Sequence, residues 1–379
     1  MANILHVVNV SFVLPYYLGD QIDYFKEKGD SIFIACSPSQ NLNDFCEKKK
    51  IPFVPIPVIR GINPISDIYA IIKLIIFIKK NKIDVIVGHT PKGGLLAMLA
   101  GNLSFIRRKI YFRHGLLFET THGVKRFFLF YIEKLTGLLS DKVVCVSNSI
   151  LQISNQLKLN SKKKNVLLSN GTCNGLDALN KFNPVLVKPN IISNTRLKLG
   201  LNESDFIVGF VGRIVKDKGI PELIDAWKLI KIDFPNIKLL LVGPFESRDG
   251  MSFECVEFIK NEKSIIHIDY TTETVLYYSL MDIFILPSYR EGFPTVVLEA
   301  SAMTLPIITT KKTGCIDSII ENLTGVFCEI DTKSIYDTIK KFMNDPSAFK
   351  KMGYHGRERV ISDFSQEIIW SELYNLFHE

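Results

Sequence analysis

Two carboxylates frame a bend in the stretch SYREGFPTVVLEASA, residues 288–302. Glu291 stands just before Gly292-Phe293-Pro294, and Glu299 follows eight residues later. A buried apolar strand, MDIFILPS (281–288), leads into the bend, and Thr295 is placed to N-cap a helix over 295–303. Gly292 and Pro294 then shape a loop whose amides point outward at a helix N-terminus, where the dipole favours an anion such as phosphate. A carboxylate beside that dipole gains only about 0.3–1 kcal/mol. Two carboxylates at this spacing fit better as acceptors for sugar hydroxyls: Glu299 within reach of a nucleotide ribose, Glu291 of a second, transferable sugar. The plainer reading is a loop acid plus a solvated helix Glu, yet Glu299 sits inside the apolar run VVLEASAM.

A basic constellation lies about 75 residues upstream. FIVGFVGRIVKDKGIPELIDAW (206–227) reads as a strand, a turn holding Gly212, Arg213, Lys216 and Lys218, and a helix starting near Pro221. Arg213 can clamp phosphate oxygens with two nitrogens, and Lys218 supplies a mobile point charge. Such cations at a strand's carboxyl end suit a diphosphate, including one that leaves with developing charge. Alone, a basic turn is usually just solvated; its partnership with the anion-binding bend raises it.

The elements that must position these groups alternate strand and helix throughout. Short β-branched runs predict strands near 3–10, 31–36, 52–58, 83–88, 109–113, 142–147 and 165–169. Helical patterns fall at 64–81, 92–104 and 123–140. After the polar segment NKFNPVLVKPNIISNT (180–195) the alternation restarts, with strands near 206–211, 237–242, 264–268, 282–286, 306–309 and 325–328. Alternating strands and helices imply parallel sheets covered on both faces. With 379 residues, the chain is expected to form two Rossmann-like, doubly wound α/β domains facing a central cleft, with ligands at the carboxyl ends of the strands. The expected division is a first domain at 1–182, a linker at 183–204, a second domain at 205–360, and a C-terminal helix at 361–379 that crosses back to the first.

In order and spacing, GRIVKDKG, LLLVGP, DIFILPSYREGFPTVVLEASAMTLPIITT and LTGVF resemble the donor domain of glycosyltransferase family 4, whose members are retaining enzymes of the GT-B fold. The resemblance is strong over 205–330 and weaker but continuous before it, and is greatest to bacterial transferases that extend lipid-linked O-antigen, capsule or N-glycan precursors. It implies that Arg213 and Lys218 hold a donor diphosphate, Glu299 the ribose and Glu291 the donor sugar. Gly212 and Arg290 would lie beside them, and Gly292, Phe293, Pro294 and Thr295 would form the phosphate-side loop. It also implies a UDP-sugar co-substrate, an N-acetylhexosamine as the best guess, no cofactor, no metal, and a polyprenyl-diphosphate-linked acceptor. Retention would proceed by front-face displacement, the leaving phosphate helping to deprotonate the acceptor. A UDP-N-acetylglucosamine 2-epimerase shares the fold but would not need the Glu291/Glu299 pair; a non-catalytic sugar-nucleotide-binding subunit is the third alternative.

The first half should supply the acceptor site. IYFRHGLLFE (110–119) ends a strand at Arg113-His114-Gly115, and the resemblance sets His114 near the reacting sugar, to donate a hydrogen bond or stabilise developing charge. In VGHTPKGG (87–94), His89 and Lys92 stand at another strand-to-helix turn; Lys92 binds the acceptor's phosphate there, or the segment is an ordinary tight turn. Asn170, in SNGTCNGLD (169–177), is placed at the cleft edge. The family's Gly-Gly loop after the first strand is missing from NVSFVLPYYLGD, so Ser11 and Phe12 are expected near the acceptor or the hinge rather than at phosphate.

Charge and cysteine set the surroundings. Residues 1–181 hold 24 Lys and Arg against 12 Asp and Glu, and the remainder 22 against 27, so the first half should face something anionic. No nucleic-acid motif appears. Helix 121–142 alternates Lys125, Arg126 and Lys134 with Phe127, Phe128 and Phe130. It either rests on anionic lipid or turns its apolar side to the core. Seven cysteines without CxxC spacing suggest reduced, buried thiols. No signal peptide is evident, and the longest apolar run (68–80) is short of the roughly 20 residues that span a bilayer. The expected setting is the cytoplasm, peripheral on the cytosolic face of a bacterial inner membrane.

Overall fold

The computed structural model describes residues 1–58, 63–246 and 250–379. The chain divides into two compact units: Met1–Gly175 together with Gln366–Glu379, and Leu176–Ser365.

The first unit is built on β1 (Asn3–Val7), β2 (Ser31–Cys36), β3 (Phe53–Pro55), β4 (Val85–His89), β5 (Arg108–Arg113), β6 (Lys142–Cys145) and β7 (Asn165–Val166). They lie in the order β3-β2-β1-β4-β5-β6-β7. The second holds β8 (Phe206–Val211), β9 (Ile237–Val242), β10 (Ile265–Ile268), β11 (Ile283–Leu286), β12 (Ile307–Thr310) and β13 (Gly325–Cys328). Their order is β10-β9-β8-β11-β12-β13. All the pairings are parallel. Both sheets are doubly wound, and the order reverses beside β1/β4 in one and β8/β11 in the other, the position where such sheets bind ligands. Strands such as IFIL of β11 are buried throughout because helices cover both faces.

Several expected strands are shorter than their apolar runs. β1 stops at Val7 and the chain turns into a 3₁₀ segment, Ser11–Val13. β3 ends at Pro55, whose nitrogen has no proton to give a ladder. β7 ends at Val166, and Ser169 then takes φ 47° within a turn. The division of the chain also differs. The Leu176 amide donates to the Phe364 carbonyl at 2.8 Å, and Leu176, Ala178, Phe182 and Leu201 join the second core. The segment 183–204 is therefore part of the second unit rather than a linker, with its own helix Pro189–Lys198. The last helix, Gln366–His378, packs in the first unit. There the Trp370 indole donates to the Asn174 carbonyl at 2.9 Å, and Glu372 accepts from the Ser169 amide at 2.8 Å.

Candidate functional site

In the second unit, the loops after β8 and β11 are bound to each other. Gly219 ends the β8 turn with φ 71°, and a Cβ there would lie 2.0 Å from the Pro287 carbonyl oxygen, so only glycine lets the helix Ile220–Asp233 start so close to β11. The Tyr289 amide donates to the Asp217 carbonyl at 3.1 Å, and buried Ser288 donates to the same carbonyl at 3.2 Å. On the other side the Glu291 amide donates to the Thr313 carbonyl at 2.9 Å. Gly314 (φ 77°) passes within 2.6 Å of the Glu291 carbonyl oxygen, measured from where its Cβ would be.

This scaffold brings Lys218 and Glu291 together as an ion pair, both side chains less than one-fifth exposed. Arg213 reaches Glu246 at 2.7 Å and is 43% exposed. Arg290, expected beside the donor, donates to Asp217 at 3.0 Å and so ties the two loops together. Phe293, expected in the phosphate-side loop, turns its ring onto Phe364, 5.3 Å between centroids. Thr295 does not N-cap its helix. Pro294, extended at ψ 92°, holds that position, and the helix Thr295–Ala302 has no side-chain cap to compete for its first-turn amides. Gly292 continues directly from Glu291, and Gly212 follows β8 with φ 150° against Gly243.

Glu299 projects inward from that helix and is 7% exposed. Burial pushes its carboxyl up to about 7, against which the Tyr278 hydroxyl, donating at 2.9 Å, and the charge of Lys181 favour the ionised form. An uncharged or readily discharged carboxyl with one hydroxyl already on it is suited to further hydroxyl partners. Tyr278 and Asp217 gave no sequence signal, since neither stands in a chemically suggestive spacing.

The first unit places its candidates differently. His114 follows β5, partly buried, with Tyr17 stacked flat on its ring at 3.8 Å. His89, expected to touch an acceptor, is 1% exposed and lies between two other imidazoles. Its Nε2 is 3.0 Å from His6 Nδ1, and its Nδ1 is 2.9 Å from His114 Nε2. Arg113 is likewise corrected from acceptor site to core. At 0% exposure it pairs with Glu133 (2.9 Å) and donates to Ser154 (2.9 Å) and Asn160 (3.1 Å). As the last residue of β5 it points to the face opposite His114, because side chains alternate along a strand. Lys92 is paired with Asp67 at 2.8 Å. Ser11 accepts from the Ser39 hydroxyl at 2.7 Å, and Asn170 is exposed at the turn Leu168–Gly171. His6 was missed; its place in the apolar run NILHVV reads simply as core.

The helix Gly123–Leu139 turns Phe127, Phe128, Tyr131 and Leu138 outward, with Lys125, Arg126 and Lys134 exposed beside them. Its core-facing side is Glu133, Thr136 and Gly137, which excludes the arrangement in which all its aromatics pack inward. The helix Pro64–Lys80 exposes Ile65, Ile68, Tyr69, Ile72 and Ile76. No helix among the described residues is long and apolar enough to cross a membrane. The described residues hold no group of three or more His, Cys, Asp or Glu side chains able to take a metal.

Comparisons with known proteins agree with this architecture. Residues 192–359 match the family of glycosyl transferases group 1, and residues 16–172 match Glycosyltransferase Family 4. The capsular polysaccharide biosynthesis glycosyltransferase CapM of Staphylococcus aureus is 33% identical over 99% of this chain and 96% of its own length. An Escherichia coli UDP-Gal:α-D-GlcNAc-diphosphoundecaprenol α-1,3-galactosyltransferase is 24% identical over 88% of the chain and 85% of its own length. Among solved structures, Anabaena HepE in complex with UDP-glucose superposes with a TM-score of 0.82 at 16% identity, covering 99% of both chains. The chain belongs to glycosyltransferase family 4 and has the GT-B fold of two Rossmann-like domains; it is a glycosyltransferase.

Proposed function

We propose that this glycosyltransferase moves a sugar, an N-acetylhexosamine by preference, from a UDP-sugar to a polyprenyl-diphosphate-linked glycan during assembly of a bacterial surface polysaccharide, with retention at the anomeric carbon. The observation that carries the reading is the cluster at the β8/β11 ends: Lys218, Glu291, the uncapped helix Thr295–Ala302 and, one turn inside, Glu299. The helix amides take one phosphate. Lys218, released from Glu291 as phosphate arrives, takes the other with Arg213 and stabilises the charge of the leaving UDP. Glu299 accepts from the ribose hydroxyls, and Glu291, freed from Lys218, accepts from the donor sugar. Arg and Lys supply the countercharge, so no metal is required. His114 acts at the reacting sugar.

The polysaccharide and lipid-linked parts of the reading are supported by what the relatives act on, capsular polysaccharide in one and a diphosphoundecaprenol-linked sugar in the other. HepE in complex with UDP-glucose supports the nucleotide. The exposed aromatic and basic residues of the helix Gly123–Leu139 support peripheral attachment to anionic lipid, each Lys or Arg adding about 1 kcal/mol near the surface.

The test is UDP release from a panel of UDP-sugars, with and without a membrane extract holding short lipid-linked acceptors, for the native protein and Glu291→Ala. Release that needs one donor and the extract, and collapses in the variant, is the expected result. Interconversion of a UDP-sugar without acceptor would instead mark an epimerase, and saturable UDP binding without turnover a binding subunit.

A further inference from the structure

The three imidazoles of the first unit form a diagonal row on one face of its sheet. His6 of β1 lies beside Val87 of β4, and His89 is two residues further on; His89 lies beside Phe112 of β5, and His114 is two residues beyond that. Each step crosses one strand and advances two residues toward the carboxyl ends, which keeps every ring on the same face. Phe112 stacks on His89 with centroids 4.9 Å apart, and Tyr17 lies parallel to His114. The rings cannot swing away from one another without disturbing this stack.

Burial lowers His6 and His114 to about 3 and His89 well below its ordinary value, so all three are neutral near pH 7. A neutral imidazole has one N–H and one lone pair. Each of the two N···N contacts needs one proton, and His89 has a single proton for both, so it donates at one contact and accepts at the other. Only two arrangements satisfy the row. Either all three rings carry their proton on Nδ1, or all three carry it on Nε2. The second strands a donor at His6, which is 2% exposed beside Phe377, whereas the first leaves the outer N–H on His114, the least enclosed of the three. Orphaned buried N–H groups are rarer than orphaned acceptors.

We propose that His6 and His89 are positioning residues that lock His114 as its Nδ1–H form, so that the transferase presents a fixed hydrogen-bond donor there. The inference rests on the assignment of His114 to the reacting sugar, but the lock itself is independent of it. His6 sets the direction: its Nδ1–H fixes His89 Nε2 as acceptor, which leaves His89 Nδ1–H for His114 Nε2, which leaves the His114 proton on Nδ1.

Long-range ¹H–¹⁵N correlation on ¹⁵N-histidine protein reads each tautomer directly, with single His→Phe variants for assignment. The expected spectrum has all three rings protonated on Nδ1 at pH 7.5, with His114 redistributing between tautomers in His6→Phe. Any of the three protonated on Nε2, or a His114 tautomer unmoved in His6→Phe, overturns the proposal. Asparagine carries its amide nitrogen where Nδ1 stands, so His6→Asn should restore the native His114 tautomer; failure to do so would assign His6 a packing role only. In transfer assays His6→Phe should lower kcat on the order of 10²-fold, with KM for the UDP-sugar within about twofold of native and recovery in His6→Asn. Should the native protein transfer no sugar, the functional reading falls while the spectrum still decides the lock.

Discussion

At the ends of β1, β4 and β5 the first unit sets three uncharged rings in a dry stack, whereas at the ends of β8 and β11 the second sets Lys218, Glu291, Arg290 and Asp217 as ion pairs near the surface. Both are doubly wound sheets with the same switch in strand order. In the first, burial removes charge from the histidines, and the fully buried ion pair Arg113–Glu133 lies on the opposite face of the sheet. In the second, Arg213, Lys218 and Arg290 each meet an acid, Glu246, Glu291 and Asp217. Equivalent positions in one topology can therefore hold uncharged hydrogen-bonded rings or ion pairs, according to whether desolvation or pairing controls the polar groups.

The sharpest way to break the contrast is to open the sealed pair. Arg113→Met leaves Glu133 buried without its partner, an expected loss of about 3–5 kcal/mol of stability, measured by urea unfolding, with acceptor KM unchanged in the protein that remains folded. An acceptor KM raised with stability intact would return Arg113 to the acceptor site. Next comes Lys218→Met, which should cost on the order of 10²–10³-fold in kcat while unfolding moves less than in Arg113→Met; the reverse pattern would make the Lys218–Glu291 pair structural.

Glu299 is the second unit's counterpart to the desolvated histidines. Its folded-state value of about 7 lies above the ordinary 4.5, so the native state holds a proton that the unfolded chain has released. Relative to Glu299→Gln, the native protein should lose stability as pH rises from about 4.5 to 7, at up to about 1.4 kcal/mol per unit, and no further above that. A flat difference across this window would place the carboxylate in contact with water. The smallest effect is expected at Lys92. Lys92→Ala removes a half-screened pair with Asp67 worth about 0.2–1 kcal/mol, and acceptor KM should not change; a large rise would restore the phosphate role first expected for that turn.

The fold was legible because buried parallel strands write long apolar runs, and the juxtaposition of the second unit's candidate residues was legible because they fall on two short loops at strand ends. Glu291, Gly292 and Glu299 lie on one bend, Arg213 and Lys218 on another. What was not legible depended on partners far apart in the chain. Arg113 and His114 are adjacent in sequence, yet strand alternation sends one to Glu133 in the core and the other to His89. The partner of Lys92, Asp67, comes from the helix Pro64–Lys80, and nothing in the turn 87–94 announces it. The end of the first unit was set too late, at 182, because nothing in residues 176–182 announces that Leu176 will bond to Phe364, almost two hundred residues away.

That same path has a consequence for how the protein is made. The second unit occupies one unbroken stretch, Leu176–Ser365, whereas the first needs the helix Gln366–His378 to occupy Asn174 and the Ser169 amide. On the ribosome the order of completion is therefore inverted. The unit translated first must wait, its last docking surface bare, while the one translated after it can finish, and a released chain truncated after residue 365 should carry a native second sheet and a protease-sensitive first one.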